Sequence, residues 1–189
     1  MLIQTFPETA TPAGLRGQVL ALQQQVWPGG SGLPAVRPTH DPALRPVSMI
    51  LTDDGTVVAA LDILTKDITH AGEHYVASGL STVVTSRVER RKGFGRRLVA
   101  AARSAVQASG ADLGIFTCDR LLQTFYESTG WRVLDGSVLV GGTSGSPFPS
   151  DQFDKIVMAS FFSARARRNE SAFTHSRIKL YPGTIDKLW

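Results

Sequence analysis

An uncharged strand, a basic glycine turn and an amphipathic helix follow one another without a break between residues 75 and 106. No other stretch restricts the fold as strongly. Residues 75–85 (YVASGLSTVVT) are rich in β-branched and small residues and carry no charge, the composition of a strand covered on both faces. Phe94, Leu98, Ala101, Ala102, Ala105 and Val106 then recur at helical spacing and share one face. Between strand and helix stands Arg90-Arg91-Lys92-Gly93-Phe94-Gly95. The first N–H groups of a helix have no partner inside it, and the helix dipole adds roughly half a positive charge there. Glycines at 93 and 95 remove the Cβ atoms that would hold an anion off the backbone, while Arg90, Arg91, Lys92, Arg96 and Arg97 add charge. The expected ligand of such a turn is a polyphosphate.

Spacing rules out the commoner phosphate motifs. A dinucleotide fingerprint needs a third glycine where this chain has Leu98, and the GxxxxGK[ST] loop occurs nowhere. What the turn does match is RxxGxG, here Arg90 to Gly95, with Leu98 three residues on. A second motif follows in residues 118–133 (CDRLLQTFYESTGWRV), with Phe125-Tyr126-Glu127 ahead of Gly130-Trp131. In these two motifs, their order and their separation, the chain resembles the GNAT family of N-acetyltransferases. The resemblance implies an α/β (α+β) fold: a central mixed, mostly antiparallel sheet of about six to seven strands flanked by about four helices. It implies acetyl-CoA as cosubstrate. Arg90, Arg91, Lys92, Gly93, Phe94, Gly95 and Arg96 would lie around the pyrophosphate, and Val83, Val84 and Thr85 along the pantetheine arm, with a backbone N–H there for the oxyanion. Tyr126 takes the place of the family's general acid for the leaving thiolate.

The charge distribution agrees. The chain carries a formal +4, yet residues 87–97 alone hold six basic residues and one acid, so the remainder is slightly acidic. A nucleic-acid surface needs a wider basic stripe, usually interleaved with aromatics, and none is expected here. With 189 residues and 42% of them hydrophobic, the chain has enough apolar surface for one substantial core. A single cysteine, Cys118, excludes an internal disulfide framework and fits a reducing compartment. No apolar run approaches the ~18 residues of a membrane span, and the first ten residues lack the pattern of a signal peptide. A cytoplasmic protein with no membrane partner is expected.

Taken in order, residues 2–6 read as a first strand. Thr11 offers an N-cap with Pro12 at the first helical position, and Leu15, Val19, Leu22 and Val26 follow at helical spacing. Residues 27–46 hold too many prolines and glycines for a helix or central strand; they read either as a lid on the acceptor site, with Trp27, His40 and Asp41 the residues to watch, or as a surface loop without chemistry. Residues 47–52 and 57–64 form a hairpin across Asp53-Asp54-Gly55, and residues 66–73 a turn. Further strands are expected at 113–117, 131–140 and 155–161, the last two as an antiparallel pair, with a short helix at 121–128. Residues 1–161 make the domain and 162–189 a C-terminal extension, in which 178–181 offers one more strand.

A terminal Trp189 is costly to leave in water, and would pack on the domain or on a dimer mate. It also carries a looser likeness, to the aminoglycoside 2′-N-acetyltransferases, which end in an Asp shortly before a terminal Trp. That places Asp186 and Trp189 in an acceptor site, to which Asp41 of the expected lid is a further candidate. The likeness has a departure: those enzymes carry Glu-Gly where this chain has Ser81-Thr82, and a serine neither neutralises an ammonium nor takes its proton efficiently.

The reaction demands that proton. An amine of pKa near 10.4 holds it about 3.4 units above pH 7, so freeing the lone pair costs roughly 4.6 kcal/mol. Glu73 and Asp41 are the carboxylates on offer, each equally readable as a solvated surface charge, and Ser81 the hydroxyl. The reading is an acetyl-CoA-dependent N-acetyltransferase with a small polar or cationic amine acceptor. Its alternatives are the aminoglycoside 2′ activity, acetylation of a peptide amine, and a domain that binds acyl-CoA or a protein partner without turnover.

Overall fold

The computed structural model describes residues 1–28, 39–183, 185 and 188–189. Seven strands form the main sheet in the order β1-β2-β3-β4-β5-β9-β6. The strands are β1 (Leu2–Pro7), β2 (Val47–Asp53), β3 (Thr56–His70), β4 (Glu73–Thr85), β5 (Leu113–Asp119), β6 (Arg132–Val133) and β9 (Lys155–Phe161). All neighbours are antiparallel except β4 and β5. Asp54 and Gly55 both take positive φ, as a two-residue turn matching the twist of its strands requires.

Alternate residues of the sheet face opposite ways, and each face has its own helix. On one side α2 (Phe94–Ala108) sets Leu98, Val99, Ala102 and Val106 into a core with Met49, Leu51, Leu61 and Leu80. On the other, α1 (Ala13–Val26) packs Leu22, with the half-buried Leu15, Val19 and Val26, on Ile50, Val57, Ala60 and Val84. The helix α1 starts one residue later than its sequence signals indicate. Pro12 holds the N-cap position, and the Thr11 hydroxyl is buried without a hydrogen-bond partner.

Two stretches differ from their sequence reading. The expected turn at 66–73 is strand: β3 continues to His70, and Ala71-Gly72, both at positive φ, reverse the chain into β4. Lys66 looks like a loop residue, but it is buried and donates to the carbonyls of Leu180 and Pro182, with burial pulling its pKa down against the opposing effect of Asp67. The expected strand at 131–140 is broken. Only Arg132–Val133 pairs with β9; the chain turns at Asp135-Gly136 and Val138–Gly142 becomes β7 of a second sheet. There β7 pairs antiparallel with β8 (Pro147–Pro149) and parallel with β10 (Arg177–Lys179). After β9 come α4 (Ala164–Arg168) and α5 (Glu170–Phe173). Phe173, Ile178, Leu180 and Leu188 share a buried cluster with Leu113, Ile115 and Phe161.

Candidate active site

The parallel pair β4 and β5 is joined only at Ala77↔Leu113 and Ser78↔Gly114. Beyond that point β5 stays with β9 as far as Asp119, while β4 stays with β3 to Thr85, so the two strands part. Backbone groups of residues 79–85 on the β5 side have no strand partner, and a crevice opens toward the C-terminal ends of both strands.

At the mouth of that crevice stands the N-terminus of α2. Gly93 caps it at φ +84 with no side-chain cap, and the first helical bond is Arg97 N–H to the Gly93 carbonyl at 2.9 Å. The N–H groups of Phe94, Gly95 and Arg96 therefore point outward unpaired within the helix. The two glycines serve different ends. A Cβ on Gly93 would meet nothing, so the left-handed backbone is what demands glycine. A Cβ on Gly95 would lie 2.7 Å from Thr85 Oγ1, so this glycine lets the helix close on the end of β4. Arg90, Arg91 and Arg96 are exposed and have no ion-pair partner among the described residues, whereas Lys92 pairs with Glu89 at 2.9 Å and Arg87 donates to the Gln25 carbonyl. The arrangement offers three free guanidinium groups and a bare helix N-terminus to an anion.

Tyr126, on α3 (Gln123–Glu127), is 5% exposed, edge-on to Phe116 and Phe125 with ring centroids 5.0 Å apart in each pair. Burial, then the nearness of Cys118 and Asp119, pushes its pKa up, so the phenol keeps its proton. Burial likewise pushes the Cys118 thiol up to about 12, which makes it an inert core residue rather than a nucleophile. Val84 is buried on the α1 face, and Val83 packs against the α2 core.

On the α1 face a polar cluster breaks the apolar surface beside the crevice. Between Asp62 and Ala60 the β3–β4 register slips by one residue, and Thr82 in this bulge holds φ +48, a costly conformation for a β-branched residue. Its hydroxyl donates to Asp62 at 2.6 Å, the Ser48 hydroxyl does the same at 2.6 Å, and His40 Nε2 lies 3.2 Å from the same carboxylate. Glu8 accepts from the backbone N–H groups of Thr39 and His40 and from Arg16. Glu8, Thr11, Arg16, Thr39, Ser48 and Asp62 wall a cavity of about 20 Å³, room for one water. Ser81 is the cross-strand partner of Asp62. Two residues back along β4, the Trp189 indole lies on Gly79, its Nε1 buried without a hydrogen-bond partner among the described residues.

The structure thus brings Ser81 and Trp189 to one face, and the 83–96 residues to the crevice mouth. It does not bring Glu73 to them: that residue is exposed at the opposite end of β4, roughly 26 Å along the strand from Ser81 at 3.3 Å per residue. Asp41 is exposed and caps the 3-10 turn Pro42–Leu44, accepting from Ala43 N–H at 2.8 Å. Asp186 and residues 29–38 of the expected lid lie outside the described residues. Sequence reasoning passed over Asp62, Ser48 and Glu8, and met Thr82 only as the neighbour of Ser81. The available signal was one acid inside the apolar run 57–64, at a position whose alternation places it on a covered face.

Comparison with known proteins adds an independent line. The family model described as an acetyltransferase (GNAT) domain matches residues 15–134, more than half of the chain. No curated protein matches. Among solved structures the chain is similar to an acyl-CoA N-acyltransferase from Pseudomonas aeruginosa (17% identity, 84% of this chain and 97% of that one, TM-score 0.58). It is also similar to an aminoglycoside 6′-N-acetyltransferase complexed with coenzyme A (16% identity, 87% and 99%, TM-score 0.61). A third is the aminoglycoside 6′-N-acetyltransferase from Enterococcus faecium (18% identity, 87% and 99%, TM-score 0.57). At these identities the likeness is one of fold. None of the described helices is long and apolar enough to cross a membrane.

Proposed function

The chain belongs to the GNAT family of acetyltransferases, and from that premise we propose that it transfers the acetyl group of acetyl-CoA directly to the amine of a small polar or cationic acceptor. The observation that carries this reading is the parting of β4 and β5 after two paired residues, which leads straight to an uncapped, arginine-flanked helix N-terminus. The backbone of Gly93, Phe94, Gly95 and Arg96, with Arg90, Arg91 and Lys92, would hold the pyrophosphate; residues Val83, Val84 and Thr85 would lie along the pantetheine arm. Bound there, acetyl-CoA supplies a thioester carbonyl to be attacked and a thiolate to leave. An unpaired N–H of β4 in the crevice is placed to receive the oxyanion. Tyr126, kept protonated by its burial, donates to the departing sulfur.

The acceptor side is the face that carries Ser81 and Trp189. The aminoglycoside 2′ activity is retained as a second reading because the Trp189 indole sits on Gly79, beside Ser81, where it would flank a cationic sugar. Calorimetric titration with acetyl-CoA, followed by thiol release against an amine panel that includes aminoglycosides, tests both. Tight binding and turnover of one amine class supports acetyl transfer and names the acceptor. Failure to bind acetyl-CoA overturns the reading of the α2 N-terminus.

A further inference from the structure

Three carboxylates are buried among the described residues, and they differ in their counter-charge. Glu8 has Arg16 at 3.3 Å and Asp112 has Arg165 at 2.8 Å. Asp62, 5% exposed, has neither lysine nor arginine beside it among the described residues; its partners there are the Ser48 and Thr82 hydroxyls and the His40 imidazole. A buried carboxylate is normally matched by a cation, because burial without one is unfavourable. A carboxylate also has about four lone-pair positions. Ser48 takes one on Oδ1, and Thr82 and His40 share Oδ2, so among the described residues one position on Oδ1 is left.

Location turns this surplus into a role. Asp62 opposes Ser81 across the β3–β4 pair, and it holds Thr82 in the bulge of the strand that lines the crevice. The carboxylate missing at position 81 is thus present on the next strand. Resting on the acetyl-transfer reading above, we propose that Asp62 is the carboxylate that receives the acceptor's ammonium and, paired with His40, takes its proton. The nitrogen sheds two protons on becoming an amide. The first passes to the Asp62–His40 pair and on to water, freeing the lone pair that forms the C–N bond. The C–S bond then breaks with its electrons on sulfur, Tyr126 protonates the sulfur, and the second nitrogen proton restores Tyr126.

A brace of the β4 bulge would need the same hydrogen bonds but not the charge, and this difference is what the experiment reads. Thiol release is followed for wild type, Asp62→Asn, Thr82→Val and Ser48→Ala with an alkylamine that wild type accepts and with an alkoxyamine of the same skeleton, already neutral near pH 7. Coenzyme A affinity and unfolding temperature are measured beside it. Asp62→Asn is expected to lower kcat/KM for the alkylamine by about 100-fold or more, with less than about tenfold loss on the alkoxyamine and coenzyme A affinity unchanged. Thr82→Val and Ser48→Ala, which remove a hydrogen bond but leave the charge, are expected to change the alkylamine and the alkoxyamine rates by the same factor. Equal losses for Asp62→Asn and Thr82→Val on both amines overturn the proposal in favour of a brace, as does full activity of Asp62→Asn. Should that variant not fold, Asp62→Glu, which displaces the carboxylate by one methylene, is expected to show the same selective loss on the alkylamine; equal effects on the two amines would overturn the proposal. A wild type that binds acetyl-CoA but turns over no amine refutes the acetyl-transfer reading itself and takes this role with it.

Discussion

Replacing Gly79 with alanine separates two jobs that the terminal tryptophan combines. Gly79 does not need glycine for its backbone, since it sits in regular strand opposite Leu64. It needs glycine for space: an added Cβ would fall 2.5 Å from Trp189 Cδ2 and 2.9 Å from Cδ1, where ordinary contact begins at 3.4 Å. The indole is rigid and must retreat by about 1 Å or leave. Overpacking of this kind costs about 1–3 kcal/mol, offset by the ~0.4–1 kcal/mol gained when alanine narrows the unfolded ensemble. The net effect is therefore between neutral and about 2.6 kcal/mol destabilising, and a single variant cannot separate the two terms. A cycle does so: Gly79→Ala is made in the full chain and in a chain lacking Leu188 and Trp189. In the shortened chain the alanine is expected to be neutral or stabilising, and the difference between backgrounds should be the clash alone, about 1–3 kcal/mol, or roughly 2–12 °C in Tm for a chain of this size. Acceptor KM should rise in the full-length variant with acetyl-CoA affinity unchanged. Equal Tm shifts in the two backgrounds would refute the contact, and an unchanged KM would leave Trp189 a packing residue only.

Tyr126→Phe should lower turnover by about 10²- to 10⁴-fold while sparing coenzyme A affinity; unchanged turnover would mean that sulfur finds its proton elsewhere. Because burial raises the Tyr126 pKa, the folded protein keeps a proton that the unfolded chain loses near pH 10. Its contribution to stability is full below that pH and falls as pH rises above it, which urea denaturation at pH 9 and pH 11 would reveal. Cys118 should resist alkylation at pH 8 in the native protein and react once urea unfolds it; rapid native labelling would contradict the buried, unreactive thiol. Gly93→Val is expected to abolish coenzyme A binding, with φ +84 making the branched residue strained even though no atom lies in its way. Normal affinity in that variant would show that the turn is not the phosphate site.

Legibility tracked how local each signal was. The turn from Arg90 to Gly95 was readable because everything it needs, uncapped N–H groups, positive φ and positive charge, is written within six residues. The hairpin at Asp54-Gly55 was readable for the same reason. Lys66 was not: it pairs with Ala77 in the β3–β4 ladder, and what lets its ammonium be buried there is a pair of carbonyls contributed by Leu180 and Pro182, over a hundred positions away. The break after Val133 coincides with a local turn signal, Asp135-Gly136-Ser137, but where the chain goes after it is not local: only the pairing of Val138–Gly142 with Arg177–Lys179 shows that the chain has changed sheets. Asp62 is the instructive case. In the apolar run it reads as a tolerated exception, and its meaning lies in hydroxyls on two other strands and an imidazole upstream. Ser81, read alone, pointed to a lost carboxylate; the cross-strand register supplies one.

The two-residue joint between β4 and β5 also bears on how the protein survives without its ligand. A main sheet of seven strands that parts at its middle is, for backbone pairing, two half-sheets sharing a core, with amides that have no strand partner along an internal edge. A molecule threaded between those edges, as the proposed acetyl-CoA site implies, would stand in for the ladder that is absent. Its binding is then worth RT ln(1 + [L]/Kd) to the folded state, about 2.7 kcal/mol at a hundredfold excess over Kd. Amides of residues 79–85 should exchange with solvent fastest in the empty protein and slow most on binding. The lifetime of this chain in a cell would accordingly follow the local supply of coenzyme A thioesters, making its abundance a readout of acyl-group metabolism as well as a contributor to it.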